Sequence, residues 1–163
     1  MVTFEVTINS SDMFDYNVYH NYRHFQGIVS LLLGVVMLVV CFFSLRAQAN
    51  ITYILVTGFL GLFFTIITPV RIYFKSIQQV KLTPSFQKPI KYTISETELV
   101  IEQEGARAAI PMEEIIKAVD TGKSIVLYIS SLRAYILPKR EIGEKLPQVI
   151  DIIKNSKIRK IKL

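Results

Sequence analysis

Two apolar stretches, residues 25–45 and 51–70, stand close together near the start of this chain, and neither contains an Asp, Glu, Lys or Arg. About twenty uncharged residues, rising about 1.5 Å each as a helix, cover the roughly 30 Å of a bilayer's hydrocarbon core. The sequence therefore predicts a membrane hairpin, its two helices joined by the short segment 46–50. That expectation limits where every other residue can work.

The hairpin divides the chain into an N-terminal arm (1–24), the spans with a helical extension (25–82) and a C-terminal domain (83–163). The first apolar run starts at Phe25, is long and lacks a small-residue cleavage pattern, so it reads as a retained span rather than a signal peptide. The one cysteine, Cys41, lies inside that span, which excludes an internal disulfide and a cysteine-based metal site. Cytoplasmic flanks carry the excess of Lys and Arg. Arg71, Lys75, Lys81, Lys88 and Lys91 follow the second span, whereas the connecting loop holds Arg46 alone. The reading is a two-span protein of the cell membrane with both termini in the cytoplasm. Asn50-Ile-Thr52 matches a glycosylation acceptor but lies at the very edge of a span, a chance match. Gly34, Gly58 and Gly61 let helix backbones approach, for internal packing first and self-association second. Pro69 predicts a kink near the end of the second span. With no acidic or basic side chain in either span, a transporter or channel is not expected.

Past Pro84 and Pro89 the pattern changes to alternation. Strands are predicted at 91–95, 99–102, 107–110, 115–121, 124–130 and 134–138, divided by polar turns that include Gly105 and Gly122-Lys123. Such spacing argues an antiparallel meander. Within 124–130, Ile125, Leu127 and Ile129 share one face. Ile142, Leu146, Val149, Ile150 and Ile153 then trace one apolar stripe of a closing helix, with Pro147 tolerable near its start. In the arm, Val2, Phe4, Val6 and Ile8 alternate with polar residues, the clearest period-2 pattern in the chain. A lone strand leaves a costly open edge, so 2–8 is expected to join the C-terminal sheet. Ser11 or Asp12 would cap a short helix over 13–24.

Three runs, Tyr92-Thr-Ile-Ser-Glu96, Glu114-Ile-Ile-Lys-Ala-Val-Asp120 and Ile125-Val-Leu-Tyr-Ile-Ser130 leading into Ile136-Leu-Pro-Lys-Arg140, resemble the YcxB-like family of bacterial two-span membrane proteins. The resemblance covers roughly residues 90–155 by motif and the whole chain by layout. It implies a mainly-β (α+β) cytoplasmic domain similar to pleckstrin-homology folds, an antiparallel split barrel closed by the C-terminal helix. It implies no established activity and so no catalytic residues.

His20 and His24, at i and i+4, share a helix face with Asp12 or Asp15 in reach, but Tyr16, Tyr19, Tyr22 and Phe25 make this an interfacial aromatic belt rather than a metal site. There is no glycine-rich phosphate loop and no nucleophile motif, and Glu113 and Glu114 read as solvated residues. Neither an enzyme nor a cofactor is expected. The end of the chain says more: Lys154, Lys157, Arg159, Lys160 and Lys162 interleave with Ile158, Ile161 and Leu163. Near an anionic leaflet such residues are each worth about 1 kcal/mol. Together with Arg71 and Lys75 they are the expected contacts to the lipid surface. No aromatic stacking platform accompanies the charge, which argues against nucleic acid. The expected function is a non-enzymatic inner-membrane protein whose cytoplasmic scaffold binds a protein partner or anionic headgroups, with self-association as a further option. The alternative is an immunity protein that blocks a toxin or bacteriocin at the membrane.

Overall fold

A computed structural model describes residues 1–23, 25–130 and 133–163. The chain forms two units, Asn17–Lys75 and a second made of Met1–Tyr16 together with Ser76–Leu163. The contact boundaries thus fall at other places than the sequence divisions at 24 and 82, and the first sixteen residues belong with the C-terminal part.

The helical unit contains the later part of α1 (Ser10–Arg23), then α2 (Phe25–Arg46), α3 (Ile51–Leu62) and, after a π turn over Phe63–Ile67, the start of α4 (Thr68–Leu82). Gly27–Arg46 and Ile51–Leu82 are both long and apolar enough to cross a membrane. They run antiparallel. Cys41 Sγ donates to the Ile54 carbonyl, a Cβ on Gly61 would meet Leu38, and one on Gly34 would meet Phe64 and Thr65. At Gly61 that Cβ would lie 2.7 Å from the Leu38 side chain and 3.0 Å from its backbone nitrogen, so the glycines serve internal packing. Asn50 caps α3, its side-chain oxygen accepting the Thr52 N–H at 2.9 Å. The expected kink at Pro69 takes the form of the π turn just before it. Proline lacks an N–H and crowds the carbonyl four residues back, Thr65, and widening the turn relieves both. The helix then continues to Leu82.

The other unit holds two four-stranded sheets. In the first, β1 (Val2–Val6), β2 (Ile90–Ile94), β3 (Glu98–Gln103) and β4 (Ala106–Pro111) lie in that order, all antiparallel. In the second the order is β7 (Ala134–Pro138), β6 (Ser124–Tyr128), β5 (Lys117–Asp120), β8 (Ile161–Lys162), with β8 parallel to β5. Each sheet is a three-stranded meander extended by one terminus of the chain. The N-terminal strand joins as expected, Phe4 opposite Tyr92 and Val6 opposite Ile90.

The expected closed barrel is not formed. Pro111 ends β4, Met112–Glu114 turns as a 3-10 helix, and β5 has β6 on one edge and β8 on the other, leaving none for β4. Two further expectations change. The closing helix is broken at Gly143, whose φ of 57° ends α5 (Lys139–Ile142) before α6 (Leu146–Asn155) begins with Pro147 in its first turn. β6 is a central strand, buried at every residue, with Ile125 and Leu127 on the face that enters the core. The cap of α1 is Asn9, not Ser11 or Asp12. Asn9 Oδ1 accepts the Asp12 N–H and Asp12 Oδ2 accepts the Asn9 N–H, both at 2.9 Å, a reciprocal capping pair.

The core is one cluster between the sheets and the short helices. Val6, Ile94, Leu99, Ile115, Ile125, Leu127, Leu137, Val149 and Ile153 are all fully buried in it.

Candidate functional site

Across the inner face of the first sheet runs the row Phe4, Tyr92, Ile101, Ala108, one residue from each strand. Phe4 and Tyr92 are buried, Ile101 is half-buried and Ala108 is exposed, so cover runs out toward β4. Beyond it opens a groove of about 880 Å³. Ala108, Ile110, Ile116, Ile129 and Tyr135 supply its apolar lining, Glu113 and Glu114 its acidic part, and Arg133 and Arg159 its cationic part. Ile116 is 45% exposed, which is unusual for an isoleucine beside a core.

The seven cations expected at a lipid surface are distributed as follows. Arg71 and Lys75 belong to the helical unit, where with Thr68 and Ile72 they line an open recess of about 380 Å³. Their i, i+4 spacing puts both on one side of α4. Lys154, Lys157, Arg159, Lys160 and Lys162 belong to the other unit and are exposed. This segment is not a free tail. Ile158 is buried, Ile161 and Leu163 pack on the core, and the Lys160 carbonyl accepts the Ala118 N–H at 2.9 Å. The interleaved apolar residues thus tie the segment to the core as it arrives beside β5, while its cations stay exposed. Among the described residues none of the seven forms an ion pair. Arg159 is the one that lines the groove. His20 lies on α1, while His24 and the Ser131-Leu132 part of the expected turn are outside the described residues.

Two clusters that sequence reasoning missed hold the base of α1 in place. Arg140 on α5 donates to Asp12 Oδ2 at 2.8 Å and to the Thr7 carbonyl at 2.7 Å. Thr121 donates to Asp15, and Lys123 to the Ser11 hydroxyl at 3.0 Å. Their partners lie more than a hundred residues apart, and no local pattern marks them. Burial, then the neighbouring Tyr135, pushes the Tyr92 hydroxyl well above the usual tyrosine range, so it stays neutral in the core.

Asp120 gives this unit a pH dependence. Burial alone would raise its pKa. The Lys139 ammonium at 2.7 Å and the Gly122 N–H at 2.7 Å outweigh that and hold it below its ordinary value of 3.8. A carboxylate depressed in the folded state adds stability that is complete above its unfolded pKa and is lost as pH falls through the folded one. Full-length protein is therefore expected to lose stability as pH drops below about 4. Asp120→Asn should shrink that loss, as read from the difference between the two unfolding-versus-pH curves. Superimposable slopes would contradict the assignment.

Residues 94–153 match the family model described as YcxB-like protein. The match begins at the end of β2 and runs into α6, so it lies wholly within the two-sheet unit. No curated protein and no solved structure matches the chain. Arg133, Glu113, Glu114 and the apolar lining fall inside the matched segment, whereas β1, the two apolar helices and the cationic end fall outside it.

Proposed function

We infer that this is a non-enzymatic membrane-anchored scaffold. Its two apolar helices cross the cell membrane, and the two-sheet unit faces the cytoplasm to hold a protein partner beside anionic lipid headgroups. One observation carries the anchor: in the most apolar part of each long helix only 11% of residues are buried. Phe25, Leu55 and Phe59 are more than 60% exposed. Soluble proteins rarely show contiguous apolar surface beyond a few hundred Å², and hydrocarbon is the solvent that suits such helices. The excess of Lys and Arg after Arg71, against Arg46 alone in the connecting loop, favours cytoplasmic termini. What the two-sheet unit offers a partner is an open groove lined by isoleucines and arginines, and it carries five exposed cations near its end. The likeness to YcxB-like proteins supports a pleckstrin-homology-like scaffold for this unit, in the open two-sheet form described above.

The test uses full-length protein. In a Cys41→Ala background, Ala49→Cys should be labelled by an impermeant maleimide on intact cells, and Glu144→Cys after permeabilisation alone. In nanodiscs, residues 157–163 should exchange their amide hydrogens several-fold more slowly with anionic than with zwitterionic lipid at low salt. That difference should vanish at high salt, where screening falls to about 3 Å. Labelling of Glu144→Cys on intact cells would overturn the orientation. Exchange indifferent to lipid charge would remove the headgroup contact.

A further inference from the structure

Among the described residues, the edge of β4 is the longest one left open. At β1, Lys145 donates to the Thr3 carbonyl at 2.8 Å, and Arg140 covers Thr7. β5 is paired on both sides, β8 is two residues long, and β7, which pairs with β6 alone, is five residues long and ends in Pro138. β4 is six residues long, pairs with β3 alone among the described residues, and is exposed at every position except the half-buried Ile110. Long exposed edges invite pairing, and natural proteins usually blunt them.

The backbone shows which groups this edge offers. The Met112 N–H donates to the Thr97 carbonyl at 2.8 Å, marking that pair as hydrogen-bonded. Alternation along an antiparallel ladder then makes Leu99–Ile110 and Ile101–Ala108 hydrogen-bonded pairs as well. The N–H and C=O groups of Arg107 and Ala109 are left pointing outward. An antiparallel partner must meet those two residues.

A second copy of β4 meets them in one symmetric register. Placing Arg107 opposite Arg107 sets like charges face to face, which is destabilising. Placing Ala109 opposite Ala109 sets Arg107 against Pro111, which has no N–H to give. Placing Ala108 opposite Ala108 brings Arg107 against Ala109 on both sides of the axis, so all the outward groups of both residues pair. In this register every pair joins a small side chain to its neighbour: Ile110 with Ala106, Ala108 with itself, and Arg107 with Ala109, no charge facing its like.

We propose that β4 is a self-recognition edge, through which two copies of this chain pair antiparallel about a twofold axis between their Ala108 residues to form one eight-stranded sheet. This goes beyond the scaffold reading and does not depend on lipid contact.

Full-length protein without Cys41 (Cys41→Ala), in native membranes and in mild detergent, provides the test. Residues opposite one another at a non-hydrogen-bonded position lie about 4.5 Å apart between Cα atoms, within disulfide range. Ala108→Cys should therefore give a covalent dimer under mild oxidation. Ala109→Cys, whose two copies would lie roughly 9 Å apart by strand geometry, should give at least tenfold less. Adding Ala109→Pro removes an N–H that β3 does not use and should cut the Ala108→Cys dimer more than tenfold while the unfolding transition stays in place. Should proline unsettle the strand, Ala108→Glu offers a second route, since two like charges at the axis should halve the mass measured by light scattering. Equal cross-linking at 108 and 109, a dimer that survives Ala109→Pro, or an Ala108→Cys adduct with a different protein would each overturn the proposal.

Discussion

A fragment beginning at residue 83 should fail to fold, although it contains every strand from β2 to β8 and both short C-terminal helices. The reason is β1. Val2, Phe4, Val6 and Ile8 are 8%, 6%, 0% and 4% exposed, and Phe4 stacks on Tyr92 with ring centroids 6.0 Å apart. Burying one such side chain stabilises by about 1.5–3 kcal/mol. Removing all four thus costs on the order of 6–12 kcal/mol, comparable with the 5–15 kcal/mol that usually holds a domain together. The loss also strips the cover from β2, whose Ile90 and Ile94 edge would be open to aggregation. The 83–163 fragment should show no cooperative unfolding transition and little near-ultraviolet dichroism. A fusion of residues 1–16 through a flexible linker to 76–163 should recover both. In full-length protein, Val6→Asp should reproduce much of the damage. A cooperative transition in the bare fragment would show that β1 decorates the sheet rather than completes it.

What the sequence displayed and what it hid follow the same physics. β1 was legible because a strand with one buried face alternates strictly, and the apolar helices because runs that long without a charge stand apart from the rest of the chain. The borders of β2, β3, β4 and β7 fell close to their turn residues, such as Gly105, whose φ of 83° reverses the chain. β8 escaped notice because two residues are too few for a period and a parallel partner leaves no local mark. The groove was invisible for another reason. It depends on where cover ends, and that is a property of two sheets failing to meet at β4 and β5, not of any stretch of residues. Of its two cations, Arg159 was expected at a lipid surface and not in a groove, and Arg133 carried no expectation, since a lone arginine beside a turn has no signature.

The second large effect concerns Arg140 and Asp12, which join α5, the end of β1 and the start of α1. The Asp12 side chain is 5% exposed and sits 2.8 Å from the guanidinium, while Arg140 is 47% exposed. Removing one partner of a buried pair costs about 3–5 kcal/mol, because the charge left behind has lost both water and counter-ion. Here the carboxylate keeps the Asn9 N–H and the arginine is half solvated, which discounts the figure for Arg140→Met to about 2–3 kcal/mol. Asp12→Asn leaves an oxygen for the cap and strands only a solvated cation, so it should cost less, about 1 kcal/mol. The decisive comparison is the double variant. With the carboxylate gone, Arg140→Met no longer strands a charge. Asp12→Asn/Arg140→Met should then be more stable than Arg140→Met alone, with a coupling of 1 kcal/mol or more between the two sites. Full-length protein in detergent, unfolded by heat and followed by the near-ultraviolet signal, provides the measurement. If the two substitutions add, Arg140 acts through its methylenes and its bond to Thr7, and the ion pair does not set the position of α1.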